Sequence, residues 1–456
     1  MSSIPIFVAA VMTILAGYML IKRYPTQMVL LFAGLVILLV AIMCGETNIL
    51  PNNAKSTGFV LFDMVDLIRL VSIKQLGGVG LIIMVSGGFA GYMSQIGASN
   101  ALVKLVAEPL KKLNNPYLLL VVAYILGHII NLVIVSAGGL TMLLLVSFFP
   151  ILTRVGVSRA SAAAAIVCCS SVAAGPLFGT QQLAAREAGL DPMVYWVEYQ
   201  ILCALPAIAV MAVMHFFVQR HYDKKGDDVY VDTEAIKVED GRKCPAWYAI
   251  FPFVPIILLF IFSKFGISTV KLNVITSLLL TWLSVILIEL IRLRDIKVVF
   301  KDAVTLWKKM GSMFGGIVAL VICAEVFANS LRVSGLVAAI IGSAQGVGFG
   351  FTGLTGILSA LVGLITALTG SGAGAFASFA SLANDVHAGM GGDIATMMVP
   401  MHLASSVFRS MSPVAGCVIA AAAAAGINPL AICRRTWLPL CVGFAVLFAT
   451  NMMLNM

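Results

Sequence analysis

Long apolar runs cover almost the whole chain, and they constrain its fold more than any other feature. They recur from residue 4 to residue 455, and each is about as long as a helix that crosses a hydrocarbon core of roughly 30 Å. Hydrophobic residues make up 61% of the sequence and charged residues only 11%, too few charges for the surface of a soluble protein. Since only helices or closed barrels satisfy their backbone inside lipid, we predict an all-α polytopic membrane protein embedded in a bilayer.

Two segments of the sequence read as copies of one another. Residues 136–172 align without a gap with residues 371–407, and after a two-residue insertion the match resumes. The paired landmarks are Ser136 with Ser371, Gly139 with Gly374, Gly156 with Gly391, and Pro176 with Pro413. Serine, glycine and proline keep their order in both copies, so we interpret the chain as two repeats. Paired apolar segments interrupted by glycine or proline indicate a transporter's binding site.

The apolar runs can be arranged as two repeats with the same order of elements. The first repeat, 1–219, has spans at 4–21, 27–45, 76–97 and 195–219, a surface segment at 98–113, a re-entrant hairpin at 116–153 and a broken helix at 158–188. The second repeat, 247–456, has spans at 247–263, 272–291, 313–331 and 436–455, a surface segment at 333–346, a hairpin at 351–388 and a broken helix at 394–424. Because each repeat crosses an odd number of times, the two must be inverted.

The positions of the basic residues predict the orientation. With Lys22 and Arg23 inside, 21 of the 29 lysines and arginines fall in segments predicted to be cytoplasmic. Both termini are then periplasmic, and residues 220–246 form a cytoplasmic linker between the repeats. The net charge of +9 follows from this topology and from attraction to anionic lipid, so nucleic acid is not implied as a partner.

Irregular backbone interrupts the hairpins and the broken helices at membrane depth. The hairpin tips are predicted at 136–139 and 369–374, and the breaks at 173–176 and 409–413. Such backbone survives only where it is buried in protein or lines a wet cavity. Helix N-termini at Ser371 and at Ser412-Pro413 suit a carboxylate, and carbonyls at the tips and breaks suit a small cation such as Na⁺. Close packing through small residues is the alternative interpretation.

We expect the substrate to bind near the midplane, where Ser136 and Ser371 approach one another. The candidate substrate-binding residues are Ser136, Gly138, Gly139, Ser171, Gly175, Pro176, Thr369, Gly370, Ser371, Gly372, Ala373, Gly374, His402, Arg409, Ser412 and Pro413. No Cys/His spacing typical of a metal site occurs, so no cofactor is expected beyond a coupling Na⁺ or H⁺.

Arg409 is the only basic residue left within a predicted span, inside the insertion that breaks the repeat symmetry. A charge at that depth costs at least ~2.5 kcal/mol on insertion scales, which suggests a functional partner. Its planar guanidinium can bind a substrate carboxylate or make a structural bond with tip carbonyls.

Four other polar side chains lie within the apolar segments. Glu325 is interpreted either as a proton site or as an internal partner of a polar neighbour. His402 lies seven residues before Arg409, and His128 and Asn131 lie on the first hairpin. Each histidine is either a hydrogen-bonded core side chain or a group for substrate contact or proton coupling. We name Glu325, His128 and Asn131 as candidate coupling residues.

Five colinear segments carry a resemblance to a known family. They are GFAGYMSQIGAS (88–99), PYLLLVVAY (116–124), HFFVQRHYDKK (215–225), TGSGAGAF (369–376) and RSMSPVAG (409–416). Over nearly its whole length the chain resembles the anaerobic C4-dicarboxylate uptake C carriers, the DcuC family. The resemblance implies exchange or uptake of fumarate, succinate, malate or aspartate across the bacterial inner membrane. It also implies a scaffold, a transport domain with two opposed hairpins, and a homodimer that works as an elevator.

The chain departs from the family pattern beside the inferred site. Ala373 and Ala375 replace an asparagine and a proline of the usual hairpin tip, and Thr180 stands where some relatives carry an acidic residue. A carrier for an amino acid or another small organic anion is therefore the alternative.

Two other classes of function fit the sequence less well. A channel is disfavoured because no ring of charges or symmetric filter is present. An enzyme is not expected, since no H-E-x-x-H, nucleophile elbow or catalytic carboxylate pair occurs.

Overall fold

The computed structural model describes residues 3–22, 24–51, 54–226, 242, 244–267, 269–270, 272–346 and 350–454, and the regular elements of those residues are helices. The first twelve α-helices are α1 Ser3–Ile21, α2 Thr26–Met43, α3 Val60–Leu76, α4 Val79–Gln95, α5 Ala98–Ala107, α6 Pro116–Asn131, α7 Ala137–Ser147, α8 Phe149–Arg154, α9 Arg159–Cys168, α10 Gly179–Glu187, α11 Pro192–Val194 and α12 Ile201–Lys225. The other twelve are α13 Val254–Ile261, α14 Val274–Leu293, α15 Ile296–Ala303, α16 Thr305–Met313, α17 Ala319–Val333, α18 Leu336–Gly346, α19 Phe351–Thr369, α20 Gly372–Ala380, α21 Leu382–Met390, α22 Ile394–Val407, α23 Gly416–Ala425 and α24 Pro429–Leu454.

Several segments are helical without being α-helical. Tyr195–Gln200 and Phe314–Val318 are π-helical, and Pro109–Lys112, Ala246–Phe253 and Phe408–Met411 are 3₁₀-helical. Most of the predicted linker at 220–246 lies outside the described residues, although α12 runs into its first part.

Within the described residues, eight helices are long and apolar enough to cross a membrane, or nine if α3 and α4 count as one bent span. Length and composition alone do not separate a crossing helix from a re-entrant one. The hairpin arms Ala137–Arg154 and Phe351–Thr369 are among the eight for that reason. The chain is a multi-pass membrane protein, and its predicted inversion remains a prediction.

Charged helix ends account for the main errors in the predicted boundaries. α3 was not predicted, because Asp63, Asp66 and Arg69 interrupt its apolar pattern; it meets α4 at a bend of 51°. Asp63 is nonetheless buried, accepting hydrogen bonds at 2.6 Å from both the Ser56 hydroxyl and the Thr57 amide. The last span begins at Pro429 rather than at residue 436.

The buried ion pair of Arg435 explains why that last helix begins early. Its guanidinium lies 2.8 Å from Asp223 at the end of α12, and both side chains are almost completely buried. Asp223 also accepts hydrogen bonds of 2.6 Å from Ser158 and Ser161 at the start of α9. With its charge paired, Arg435 can lie inside a helix that also contains a membrane-crossing run.

The helices pack as two groups. In the first, α2 packs on α17, and α4 packs on α14 and α16. Small residues bring these helices close: a Cβ on Gly34 would lie 3.0 Å from the backbone of Phe327 in α17. In the second group, α12 packs along α24, α6 on α9, and α19 on α22. The groups meet where α4 contacts α10 and where α17 contacts α20.

In the second group, helices from one half of the chain pack on helices from the other half. α7 of the first hairpin packs on α23, and α20 of the second hairpin packs on α10. Under the sequence alignment α7 corresponds to α20, and α10 corresponds to α23. The two contacts are therefore equivalent, and they bring all four irregular segments toward one region.

Candidate substrate site

The two helix breaks meet in the interior of the second group. The amide of Ala173 in the first break donates to the Ser406 hydroxyl at 3.2 Å. The Arg409 Nη2 atom donates to the Ser170 carbonyl at 2.7 Å. These contacts join positions more than two hundred residues apart, so the predicted convergence of the breaks is observed.

Side chains from other elements hold the carbonyls of the first break. Each bond runs from a side-chain N–H to a backbone oxygen: Asn131 Nδ2 to Val172 at 3.1 Å, Gln200 Nε2 to Ala173 at 2.6 Å, Trp196 Nε1 to Ala174 at 2.5 Å, and Gln182 Nε2 to Pro176. A cation at these carbonyls would have to share them with donors already in place. Sequence reasoning named Asn131 but missed the other three donors.

The second break is held by amides of its own turn and by one side chain, since the Thr436 hydroxyl of α24 donates to the Ser410 carbonyl at 3.3 Å. Ser412 N donates to the Arg409 carbonyl and Ala415 N donates to the Ser412 carbonyl, both at 3.1 Å. The hydroxyls of Ser410 and Ser412 are buried and have no partner among the residues that the structure describes. α23 begins at Gly416, so the expected helix N-terminus at Ser412-Pro413 is wrong by one turn. The local 3₁₀ geometry of Phe408–Met411 delays the start of the helix.

Arg409 combines one anchored N–H with unused donors. Its residue is half-buried, and its Nε–H has no hydrogen-bond partner within the described part of the chain. Arg409 also forms no salt bridge with a described carboxylate. One Nη makes a structural bond, to the Ser170 carbonyl rather than to a tip carbonyl, and the Cys417 side chain is a second polar neighbour of the guanidinium. The Nε–H is left to bind a carboxylate, so both sequence interpretations are compatible with the geometry.

His402 lies close to the second hairpin but makes no hydrogen bond. It is fully buried, with its ring centroid 5.8 Å from that of Phe376 and 6.4 Å from that of Tyr195. Neither ring nitrogen has a partner in the described ranges. Of the two interpretations of His402, the hydrogen-bonded core side chain lacks its hydrogen bond within the described residues, and a role in substrate contact stays a prediction.

The first hairpin tip lies earlier than predicted. Gly138 and Gly139 fall in the first turn of α7, whose N-terminus is capped by the Ser136 hydroxyl accepting from the Gly139 amide at 3.2 Å. The non-helical tip is therefore 132–136. It packs on the first break, since a Cβ on Gly175 would lie 2.5 Å from the Leu132 carbonyl. Ser171, in the same break, is fully buried.

The second hairpin tip lies within the predicted range. Thr369 ends α19, Gly370 has φ +73°, and the Thr369 hydroxyl accepts from the Ser371 amide at 3.2 Å. Only a glycine adopts such a φ without strain. Ala373 and Gly374 lie in the first turn of α20. The tip packs on α22, because a Cβ on Gly372 would lie 2.1 Å from the Ser405 carbonyl.

A cavity of about 280 Å³ opens between the second hairpin and the first group of helices. Its walls come from α1, α2, α17, α19 and α20, and they are mainly apolar, with Thr369, Ser371 and Gly374 at the tip. Arg409 and His402 do not line it. The cavity thus reaches the tip but not the guanidinium.

The candidate coupling residues are internally paired. Glu325 accepts hydrogen bonds from Lys74 Nζ at 2.5 Å and from Gln75, so it is an internal partner of polar neighbours. The carbonyl of Gln75's side chain accepts from Arg186 of α10 at 3.0 Å. His128 is buried, with Nδ1 3.1 Å from the Tyr124 carbonyl. In the described residues no group of three or more His, Cys, Asp or Glu side chains could hold a metal ion.

The fold defines the class of the protein. It matches the crystal structure of the YdaH transporter of Alcanivorax borkumensis with a TM-score of 0.62 at 14% identity, covering 94% of this chain and 98% of that one. It also matches Neisseria gonorrhoeae MtrF, described with a class of antimetabolite efflux pumps, with a TM-score of 0.56 at 14% identity over 94% and 95% of the two chains. The protein has the fold of a polytopic membrane transporter.

Sequence comparison then gives the family. The model of the DcuC family, described as C4-dicarboxylate anaerobic carrier, matches residues 4–455. The chain is 32% identical to the probable anaerobic C4-dicarboxylate transporter DcuC of Vibrio cholerae, over 98% of this chain and 97% of that protein. It is 33% identical to the anaerobic C4-dicarboxylate transporter DcuC of Escherichia coli K12, over 99% and 97%. The chain belongs to the DcuC family, whose members are carriers rather than enzymes.

Proposed function

We propose that the protein is a secondary transporter of C4-dicarboxylates in a bacterial inner membrane. Membership of a family of C4-dicarboxylate carriers supports the substrate class. The structural observation that carries the proposal is Arg409, a basic side chain with unused N–H donors at the point where two helix breaks meet. A half-buried cation without a described carboxylate partner suits an anionic ligand.

The groups around Arg409 define the proposed site. The guanidinium binds one carboxylate through its free donors, and the hydroxyls of Ser410 and Ser412 are free to donate to an anion. α23 adds a helix N-terminus without a side-chain cap, which favours negative charge. Fumarate, succinate, malate and aspartate share the two carboxylates that such a site recognises. Ala373 and Thr180 leave an amino acid or another organic anion as the second candidate.

Transport is proposed to occur by an elevator-type movement. The hairpins and broken helices form one packed group, and the spans before them form another. The second group would move as a transport domain against the first as a scaffold, with α5 and α18 as tethers. We further propose a homodimer held by its scaffolds, periplasmic termini, and exchange or coupling to Na⁺ or H⁺.

Counterflow in proteoliposomes tests this function. Vesicles loaded with unlabelled succinate should accumulate external [¹⁴C]succinate, and fumarate, malate and aspartate should compete more strongly than citrate. A carrier saturates and shows counterflow, whereas a channel lets label equilibrate without either property. Repeating the assay with imposed Na⁺ and pH gradients separates exchange from cation coupling. Absence of saturable uptake of every dicarboxylate would refute the proposal.

A further inference from the structure

The first break has an unusual source of hydrogen bonds. Within the second break, the carbonyls of Arg409 and Ser412 are bonded by amides of the same turn, and one carbonyl, that of Ser410, accepts from a side chain, the Thr436 hydroxyl. Three consecutive carbonyls of the first break, at residues 172–174, accept from side chains of other elements, namely Asn131, Gln200 and Trp196. Of these three carbonyls, that of Val172 also accepts from the Ala174 amide of its own turn at 2.8 Å. Asn131 and Gln200 are almost completely buried, so water cannot reach the carbonyls they bond to. The two side chains therefore supply the hydrogen bonds that these carbonyls need.

A π-helical turn places two of these donors. Trp196 and Gln200 are the second and last residues of the π-helix Tyr195–Gln200, four residues apart. They bond to Ala174 and Ala173, which are neighbours in the break. A π-helical turn is rare, often occurs at functional sites, and costs helix stability. Here it brings an indole N–H and an amide N–H to the same strip of irregular backbone.

The residues held by these three side chains lie next to the carbonyl that binds Arg409. Ser170 is two residues before Val172, and its carbonyl accepts the Arg409 Nη2–H at 2.7 Å. The Ala173 amide bonds to Ser406, three residues before Arg409. A shift of residues 172–174 would therefore move both the acceptor of the guanidinium and the helix that carries it.

We propose that Asn131, Trp196 and Gln200 are positioning residues for Arg409. They fix the first break so that the Ser170 carbonyl binds one Nη and the remaining donors face the substrate anion. This inference rests on the proposed function of Arg409 as the carboxylate-binding group. It assigns a role in affinity to three side chains that do not themselves touch the substrate.

A matched pair of variants tests the proposal. Asn131→Leu and Asn451→Leu each remove a buried amide that donates to a backbone carbonyl of a broken helix. Asn451 bonds to Thr396, in the first turn of α22 and far along that helix from Arg409. Trp196→Phe is a second variant, which keeps one aromatic ring and removes the N–H together with part of the ring area. The dissociation constant of succinate is measured for each purified variant from its protection against thermal unfolding.

We expect Asn131→Leu and Trp196→Phe to raise the dissociation constant about tenfold, the effect of one lost buried hydrogen bond. Asn451→Leu should lower the unfolding temperature comparably and leave the dissociation constant within about twofold, because its bond lies outside the anchored region. In the Arg409→Lys background, Asn131→Leu should change the dissociation constant of succinate less than about twofold. The effects of two substitutions are not additive when one residue acts through the other.

Two results would overturn the proposal. One is an equal loss of affinity in Asn131→Leu and Asn451→Leu; the other is an Asn131→Leu effect of the same size in both Arg409 backgrounds. If succinate does not protect the unmodified protein, the proposed substrate fails rather than the positioning role. The same cycle is then measured with whichever anion of the transport screen protects it.

Discussion

Gly372 at the second hairpin tip should not tolerate even one added methyl group. A Cβ at this position would lie 2.1 Å from the Ser405 carbonyl oxygen, 1.3 Å short of an ordinary contact at 3.4 Å. The obstacle is backbone of α22, which cannot rotate away as a side chain could. The tip must therefore move by about the missing distance, at an overpacking cost of about 1–3 kcal/mol. If that cost falls on the ligand-bound state, substrate affinity decreases about 5- to 150-fold.

The first repeat offers a natural comparison for this substitution. Ala137 is the residue of the first tip that aligns with Gly372, and it already carries a Cβ, so the first tip is not packed as closely. A second control is Gly311→Ala in α16, where nothing lies within 4 Å of the added atom. Concentration dependence of succinate counterflow is compared at equal amounts of protein in the membrane. A Gly372→Ala variant with unchanged KM and unchanged maximal rate would refute the argument that this contact sets the tip position.

Three further predictions test individual side chains. Arg409→Lys should raise the succinate KM about 10- to 150-fold, the loss of a charge-assisted bond of about 1.5–3 kcal/mol, because a compact ammonium lacks the planar fork that reaches the Ser170 carbonyl and a carboxylate in fixed directions. An unchanged KM contradicts this. Arg332→Asp should change the transport rate up to about fivefold and Asp385→Arg likewise, with recovery in the double swap, because this bidentate pair links α17 to the second hairpin. Glu325→Gln should leave the shape of the pH–rate profile unchanged, since Glu325 is paired with Lys74; a shifted profile would restore it as a proton site.

The fold was largely predictable because lipid leaves the backbone few choices. The apolar runs predicted α1 and α2 to within two residues, and the order of serine, glycine and proline predicted where the second hairpin turns. Gly370 shows the physical basis, since its positive φ requires a glycine at that turn. α3 was missed for the converse reason: its charged residues find partners such as Ser56 and Thr57 only in the folded protein.

The site was predicted less completely because its hydrogen bonds are long-range. Arg409 was identified by its cost in a membrane, but its bond to Ser170 spans 239 positions and leaves no local pattern. Trp196 and Gln200 looked like ordinary residues of an apolar span, and their role depends on a π-helical turn. A tryptophan and a glutamine four residues apart lie on one face of a helix, and this spacing is the one sequence signal that could have indicated Trp196 and Gln200.

The two-residue insertion explains why two similar breaks form one asymmetric site. Arg409 lies in that insertion, so the first break has no aligned arginine, whereas the second break bonds across to the Ser170 carbonyl. Ser406 and Arg409 join the two breaks, Asn131 and Gln200 hold the first break, and the elements that carry all four pack within the second group. The site can therefore travel intact if that group moves as a rigid body. The hydrogen bond from Arg186 of α10 to Gln75 of α3 links this group to the first, so it must break during such a movement while the break-to-break bonds persist.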